Sequence, residues 1–227
     1  MKLNWNAGIG VLVCLTAVAA VPAATDASAR AGVMTAFNPS AWQDVGRIDP
    51  QVFSTALGAA SVAVAKGDTK NPATLTVIDF SRPSTEKRLW VYDLRSRRLL
   101  YEELVAHGKG TGANLATTFS NVPESNKSSL GLFVTAEPYL GKNGYSLRLD
   151  GLEPGINDRA RDRAIVIHGA PYVDAAAASA QGRLGRSLGC PAVRPAVTRE
   201  LIDTIKAGSL VFAYYPDAHW LTSSKYL

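Results

Sequence analysis

The sequence predicts a mostly β domain flanked by two helices. Short runs rich in β-branched and aromatic residues recur between residues 74 and 215, turn-forming residues separate them, and only two stretches keep a helical period. With 227 residues, 47% of them hydrophobic and 19% charged, the chain can bury one good-sized core. One folded domain over 74–227 is therefore expected, preceded by a leader over 1–29 and an N-terminal segment over 30–73 that carries one amphipathic helix.

The leader reads as a secretory signal peptide. Lys2 gives a weak positive start, residues 7–21 are almost wholly apolar, and Ala27-Ser28-Ala29 supplies the small-x-small cleavage pattern, with Ala23 and Ala24 as other cut sites. Pro22 closes the apolar run at about 15 residues, short of the roughly 18 that a permanent span needs. Cys14 lies inside that run behind Val13, which argues against lipidation. Export to the periplasm or cell wall is expected, with no stable membrane insertion once the leader is cut.

Residues 30–46 lack periodicity and are expected to cover the surface. Asp49-Pro50 then offers an N-cap followed by proline at the first helical position, and Val52, Phe53, Ala56, Leu57, Ala60 and Val64 keep helical spacing up to a stop at Gly67. This helix suits packing on a sheet, or docking to a partner. Residues 74–80 (TLTVIDF), 88–94 (RLWVYDL) and 99–106 (LLYEELVA) read as an antiparallel meander with a turn at Arg95-Ser96-Arg97. The Gly/Thr/Ser/Asn-rich stretch 107–129 is expected to be a loop over the working face or a poorly ordered flap. Further strands fall at 130–135, 145–149 and 164–168, with a plain turn at 141–144. A helix over 195–207 ends at Gly208, and 209–215 (SLVFAYY) closes the sheet. No internal repeat is present, and the sole low-complexity tract is the alanine run at 175–178.

Charge narrows the partners. A formal +5 and a pI near 9.3 suit a polyanionic neighbour such as cell-wall polymer, nucleic acid or anionic membrane, and equally a basic enzyme with no electrostatic partner. No dense Lys/Arg run or basic-aromatic stripe is present, so nucleic acid is not expected. A monomer is expected.

The chemistry is expected in 163–194. Removing the leader takes Cys14 and leaves Cys190 alone, so no internal disulfide can form. An unpaired exported thiol is either buried as a small hydrophobe or used, and a Gly-Cys-Pro loop between Arg186 and Arg194 points to use. The run 164–167 ends at His168-Gly169, which sets His168 at the open end of a buried strand 22 positions before Cys190. Imidazole can take the thiol proton, and Gly185 and Gly189 let the loop aim backbone N–H groups, that of Cys190 included, at an oxyanion. Ser187 would donate there or orient the loop, and Arg186 and Arg194 would hold the thiolate or a substrate carboxylate. No Asp or Asn stands out to orient the imidazole, which leaves a backbone carbonyl for that role. Zinc held by His107, His168 and Cys190 is the competing chemistry, but the paired ligand spacings of zinc sites are absent. His107, in Ala106-His107-Gly108-Lys109-Gly110, either faces the same cleft and touches substrate or makes local hydrogen bonds in its loop. Lys109, Lys127 and Lys142 either meet substrate carboxylates or stay solvated, and His219 beside Trp220 reads as surface packing.

His168-Gly169 followed by Ser187-Leu188-Gly189-Cys190 resembles the signature of the L,D-transpeptidase catalytic domain (YkuD-like) family. The run Gly185 to Val193 is similar to its murein L,D-transpeptidase catalytic domain branch, and 105–133, ending in Ser129-Leu130-Gly131-Leu132-Phe133, resembles the family's segment before the catalytic strand. The resemblance covers roughly 74–216. It implies a β-sandwich or barrel with a few peripheral helices, Cys190 as nucleophile, His168 as general base and acid, and Ser187, Gly189 and Gly169 in the active-site loop. It also implies acyl transfer on peptidoglycan stem peptides: attack after the L-centre of a diaminoacyl residue, release of the terminal D-amino acid, and transfer of the acyl group to an amine, with no cofactor and no metal. Two departures stand out, a longer His-to-Cys spacing and the displacement of the arginine that usually follows the cysteine out to Arg194. They leave water open as the acceptor, which would make a carboxypeptidase or crosslink-cleaving hydrolase. A wall-binding module without catalysis is the reading from outside enzymes.

Overall fold

The structure, a computed structural model, describes Met1 and residues 35–70 and 72–227, so the expected leader lies outside the described residues. Eight strands form one sheet: β1 (Thr74–Asp79), β2 (Leu89–Asp93), β3 (Arg98–Glu103), β4 (Gly131–Gly141), β5 (Gly144–Gly151), β6 (Val166–Gly169), β7 (Ala192–Val193) and β8 (Leu210–Tyr214), in the order β3-β2-β1-β8-β4-β5-β6-β7. The expected meander is present as the antiparallel pairs β1/β2 and β2/β3. β1 and β8 pair in parallel at the centre and are almost wholly buried, which explains their continuous apolar runs. Beyond β3, Ala106 bridges to Ala192 of β7, so the sheet nearly closes on itself.

Helix α1 (Pro50–Lys66) begins as its residues dictate. Asp49 accepts from the Gln51 and Val52 N–H groups at 2.8 and 3.1 Å, Pro50 opens the first turn, and Gly67 ends it with φ 80°. Its inner face, Val52, Phe53, Ala56, Leu57, Ala60 and Ala63, shares one core with β1, β2, β4 and β8. The segment before it differs from expectation. Ala36, Phe37 and Trp42 are buried rather than covering the surface; Trp42 donates Nε1–H to the Ala36 carbonyl at 2.7 Å and meets Phe53 and Tyr92 edge-on at 5.4 Å. Aromatic burial of this kind outweighs the absence of local periodicity.

Among the described residues, two α-helices, α2 (Ala175–Gln181) and α4 (Ala218–Ser223), and a 3-10 turn at Pro39–Ala41 escaped the sequence reading. The alanine tract is α2, capped by Asp174 and stopped at Gly182 (φ 71°). With Val173 and Leu184 it buries Ala178 in a second small cluster against Leu104, Ala106, Ala170 and Ala192. Helix α3 (Pro195–Ile205) lies against β6 and presses Thr198 onto Gly169, where a side chain at 169 would collide with the threonine.

Candidate active site

Parallel pairing of β6 with β7 assembles the site. His168 pairs with Ala192, and its N–H points to the Pro191 carbonyl, which sets the residues just before β7 beside the end of β6. Cys190 and His168 thus line one cleft of about 580 Å³, together with Arg163, Tyr172, Arg186, Ser187 and the Lys142-Asn143 turn between β4 and β5. Its lining holds three cationic side chains and no carboxylate.

The cysteine loop is held from within. Ser187 Oγ donates to the Cys190 carbonyl at 2.7 Å and accepts from the Gly189 N–H at 3.1 Å. Gly189 has φ 129° and its Cα faces the Lys127 carbonyl at a distance that leaves no room for a Cβ, so glycine is required there. Because its N–H is already bonded to Ser187, Gly189 offers no donor to the cleft, whereas the Cys190 N–H faces its own sulfur. The stretch 107–129 is irregular, as expected, yet firmly tied: Lys109 donates to the Ser187 carbonyl at 2.8 Å, Ser187 to the His107 carbonyl at 3.0 Å, and Ser128 Oγ joins Gly108 N and Gly189 O, each at 3.0 Å.

His168 is 4% exposed, and its Nδ1 lies 2.9 Å from the Gly169 carbonyl. A carbonyl can only accept, so Nδ1 carries the proton of the neutral ring and Nε2 keeps its lone pair. Burial holds the imidazole below its ordinary value against that hydrogen bond. Burial likewise raises the Cys190 thiol, opposed by the Val166 amide, the Arg163 charge and the residue's own amide. Burial thus disfavours the charged form of both groups. The thiol proton points to the Ala164 carbonyl, 3.6 Å from Sγ.

Two of the sequence candidates lie elsewhere. His107 is fully buried away from the cleft: Arg88 Nη2 lies 2.8 Å from its Nδ1, and Nε2 faces the Gly112 carbonyl at 3.4 Å. Both ring nitrogens are taken and His107 does not line the cleft, an arrangement of local hydrogen bonds, and among the described residues no group of three or more His, Cys, Asp or Glu could hold a metal ion. Burial and the Arg88 charge lower it to about 4. Arg194 gives its fork to Glu103, with Nε–Oε2 2.9 Å and Nη2–Oε1 2.7 Å, and does not line the cleft. Arg186 does line it, braced through Nη1 by the Gly112 carbonyl at 2.9 Å. Sequence reasoning missed Arg163, Tyr172 and Ser128. Arg163 and Tyr172 stand five residues before and four after His168, and their proximity to the strand end was the available signal; Ser128 had none.

The mostly β sheet thus presents a thiol and an imidazole on one cleft. Residues 45–214 match the L,D-transpeptidase catalytic domain, and the chain belongs to that family of enzymes. The match starts ahead of α1 and so includes that helix. Among solved structures the chain is similar to an L,D-transpeptidase from Mycobacterium smegmatis (14% identity over 64% of this chain and 60% of that one, TM-score 0.40). Others are L,D-transpeptidase 1 from Mycobacterium tuberculosis (12%, 64% and 63%, TM-score 0.36) and an L,D-transpeptidase from Stackebrandtia nassauensis (12%, 81% and 89%, TM-score 0.37). The chain thus spans about 60% of the length of the first of these. Comparison with curated proteins finds no match.

Proposed function

We propose that the protein is an exported L,D-transpeptidase that acts on peptidoglycan stem peptides through a Cys190 thioester, with His168 as general base and acid. The observation that carries this reading is the shared cleft of Cys190 and His168, in which the ring orientation leaves Nε2 as the free base. From a neutral resting pair, the thiol proton passes to Nε2 as Sγ bonds to the scissile carbonyl carbon. The Cys190 N–H, at the base of the cysteine side chain, supports the oxyanion. The C–N bond then breaks, the imidazolium returns its proton to the departing D-amino acid, and a thioester remains. An acceptor amine attacks it, gives its proton to Nε2, and expels the sulfur, which recovers the proton. Arg186, braced by a backbone carbonyl, and Lys142 supply charge for a substrate carboxylate, and a lining free of acidic groups suits an anionic donor. The apolar leader, the single exported cysteine and the basic charge support action in the periplasm or cell wall, and the same reading takes the protein to be a monomer that needs no cofactor.

The test is mass spectrometry of muropeptides incubated with the protein and with Cys190→Ala. A tetrapeptide stem is supplied alone and with a free D-amino acid. Exchange or crosslinking that disappears in the variant is expected. Shortened stems alone would make the protein a hydrolase, and no Cys190-dependent change would make it a wall-binding module.

A further inference from the structure

Arg163 stands at the cleft wall just before β6, and the family signature leaves it unassigned. The next residue, Ala164, holds a left-handed φ of 52° and turns its carbonyl to the Cys190 thiol. Every side-chain bond of Arg163 goes to one segment: Nη1 to the Ser120 carbonyl (2.6 Å) and Ser129 Oγ (2.5 Å), Nη2 to the Lys127 carbonyl (2.6 Å) and Ser125 Oγ (3.3 Å). All four acceptors are neutral, and among the described residues no carboxylate pairs with this guanidinium. The cysteine loop grips the same segment from its other side, through Ser128 Oγ on the Gly189 carbonyl and the close approach of the Lys127 carbonyl to Gly189.

The other ionisable groups around the thiol are accounted for. Lys142 is exposed at its turn, Arg186 is anchored on the Gly112 carbonyl, His168 is pushed below its ordinary value by burial, and Tyr172 is pushed up to about 12 by burial and by the cysteine. Arg194, the cation that follows the cysteine in sequence, is spent on Glu103. We infer that Arg163 is a positioning residue of this site, tying the 120–129 segment, which the cysteine loop also grips, to the start of β6 and holding an uncompensated positive charge toward the Cys190 sulfur. This rests on the reading of Cys190 as the nucleophile. A cation fixed by neutral acceptors in a half-buried place is weakly screened, so it favours the thiolate as it forms. Burial and, to a smaller degree, the neighbouring Arg159 charge lower Arg163, while the Cys190 charge raises it, as reciprocal attraction requires.

Thiol alkylation tests this without any cell-wall substrate. The thiolate displaces iodide from iodoacetamide, forming S–C as C–I breaks, and the rate against pH gives the thiol titration. Arg163→Met is expected to move that midpoint up by about one pH unit and to lower the rate with anionic iodoacetate several-fold relative to neutral iodoacetamide. Arg163→Lys, which keeps the charge and loses the fork, should hold the midpoint near that of the parent while protease cleavage within 120–129 rises. Should Arg163→Met fail to fold, the lysine variant decides: a midpoint raised like that of a neutral replacement overturns the inference. An unchanged midpoint and reagent ratio in Arg163→Met also overturns it, leaving a structural arginine. A parent protein whose Cys190 is never acylated by a carbapenem defeats the functional reading, whereas acylation with Arg163-independent titration defeats this inference alone.

Discussion

Replacing Ser128 by alanine removes one hydroxyl from the point where the 107–129 segment meets the cysteine loop. Ser128 is 1% exposed, and its Oγ accepts from Gly108 N and donates to Gly189 O. The variant loses two hydrogen bonds, each with a net value of about 1 kcal/mol, and strands a buried N–H and a buried carbonyl at a further cost of about 1–3 kcal/mol together. A stability loss of about 3–5 kcal/mol follows, read from the midpoint of urea denaturation at unchanged slope. The Gly189 carbonyl is one bond from the nucleophile's own N–H, so the loop should also lose registry. An ångström of misplacement can cost about 10²-fold, and acylation by a carbapenem, followed by loss of its ultraviolet absorbance, should slow by about 10–100-fold. A variant that loses under about 1 kcal/mol and acylates at the parent rate would refute the claim that this hydroxyl ties the loop.

Three further outcomes follow from individual contacts. Thr76, fully buried in β1, has an Oγ1 without a partner, so Thr76→Val should stabilise by about 0.5–2 kcal/mol and raise the melting temperature by a few degrees in calorimetry; a lower melting temperature would argue for a hidden partner. Arg194→Gln should cost about 1–2 kcal/mol through its lost fork to Glu103, while carbapenem acylation stays within about threefold; a large fall in that rate would put Arg194 in the reaction. His107 is buried neutral, lowered from 6.5 to about 4, so the unfolded chain takes up its proton first as pH falls. Its contribution is whole above pH 6.5 and declines by up to about 1.4 kcal/mol per pH unit on the way down to about 4. His107→Asn should flatten the stability profile over that window in urea titrations; an unchanged slope would mean the ring is not held neutral.

What could be read from the sequence was whatever local chemistry decides. Helix α1 was legible because Asp49, Pro50 and Gly67 act on their own neighbours. The strands were legible by composition, but their ends belong to their partners: the expected 99–106 strand stops its ladder at Glu103, and β4 runs on past Pro138 to Gly141 because a register shift between Thr135 and Pro138 absorbs the proline. Helix α2 hid in an alanine tract with no polar face to mark a period, although Asp174 and Gly182 bracketed it. At the site, His168, Ser187 and Cys190 could be named because they sit in a short pattern. The surroundings of His107 and Arg194 could not, since Arg88 and Glu103 are 19 and 91 residues away and reach them only through the fold. Arg163 offered only its nearness to the strand end, its acceptors lying in a segment without a pattern of its own, and Ser128 reaches Gly108 and Gly189 only through the fold.

The central claim is that Cys190, deprotonated by His168, becomes the acyl carrier. Intact-protein mass spectrometry after incubation with a carbapenem, on the parent, Cys190→Ala and His168→Ala, tests it most directly. The account predicts a stoichiometric adduct mapped to the peptide containing Cys190, none in Cys190→Ala, and formation slowed by about 10²–10⁴-fold in His168→Ala at neutral pH. An adduct that persists in Cys190→Ala, or forms at the parent rate without His168, would contradict it.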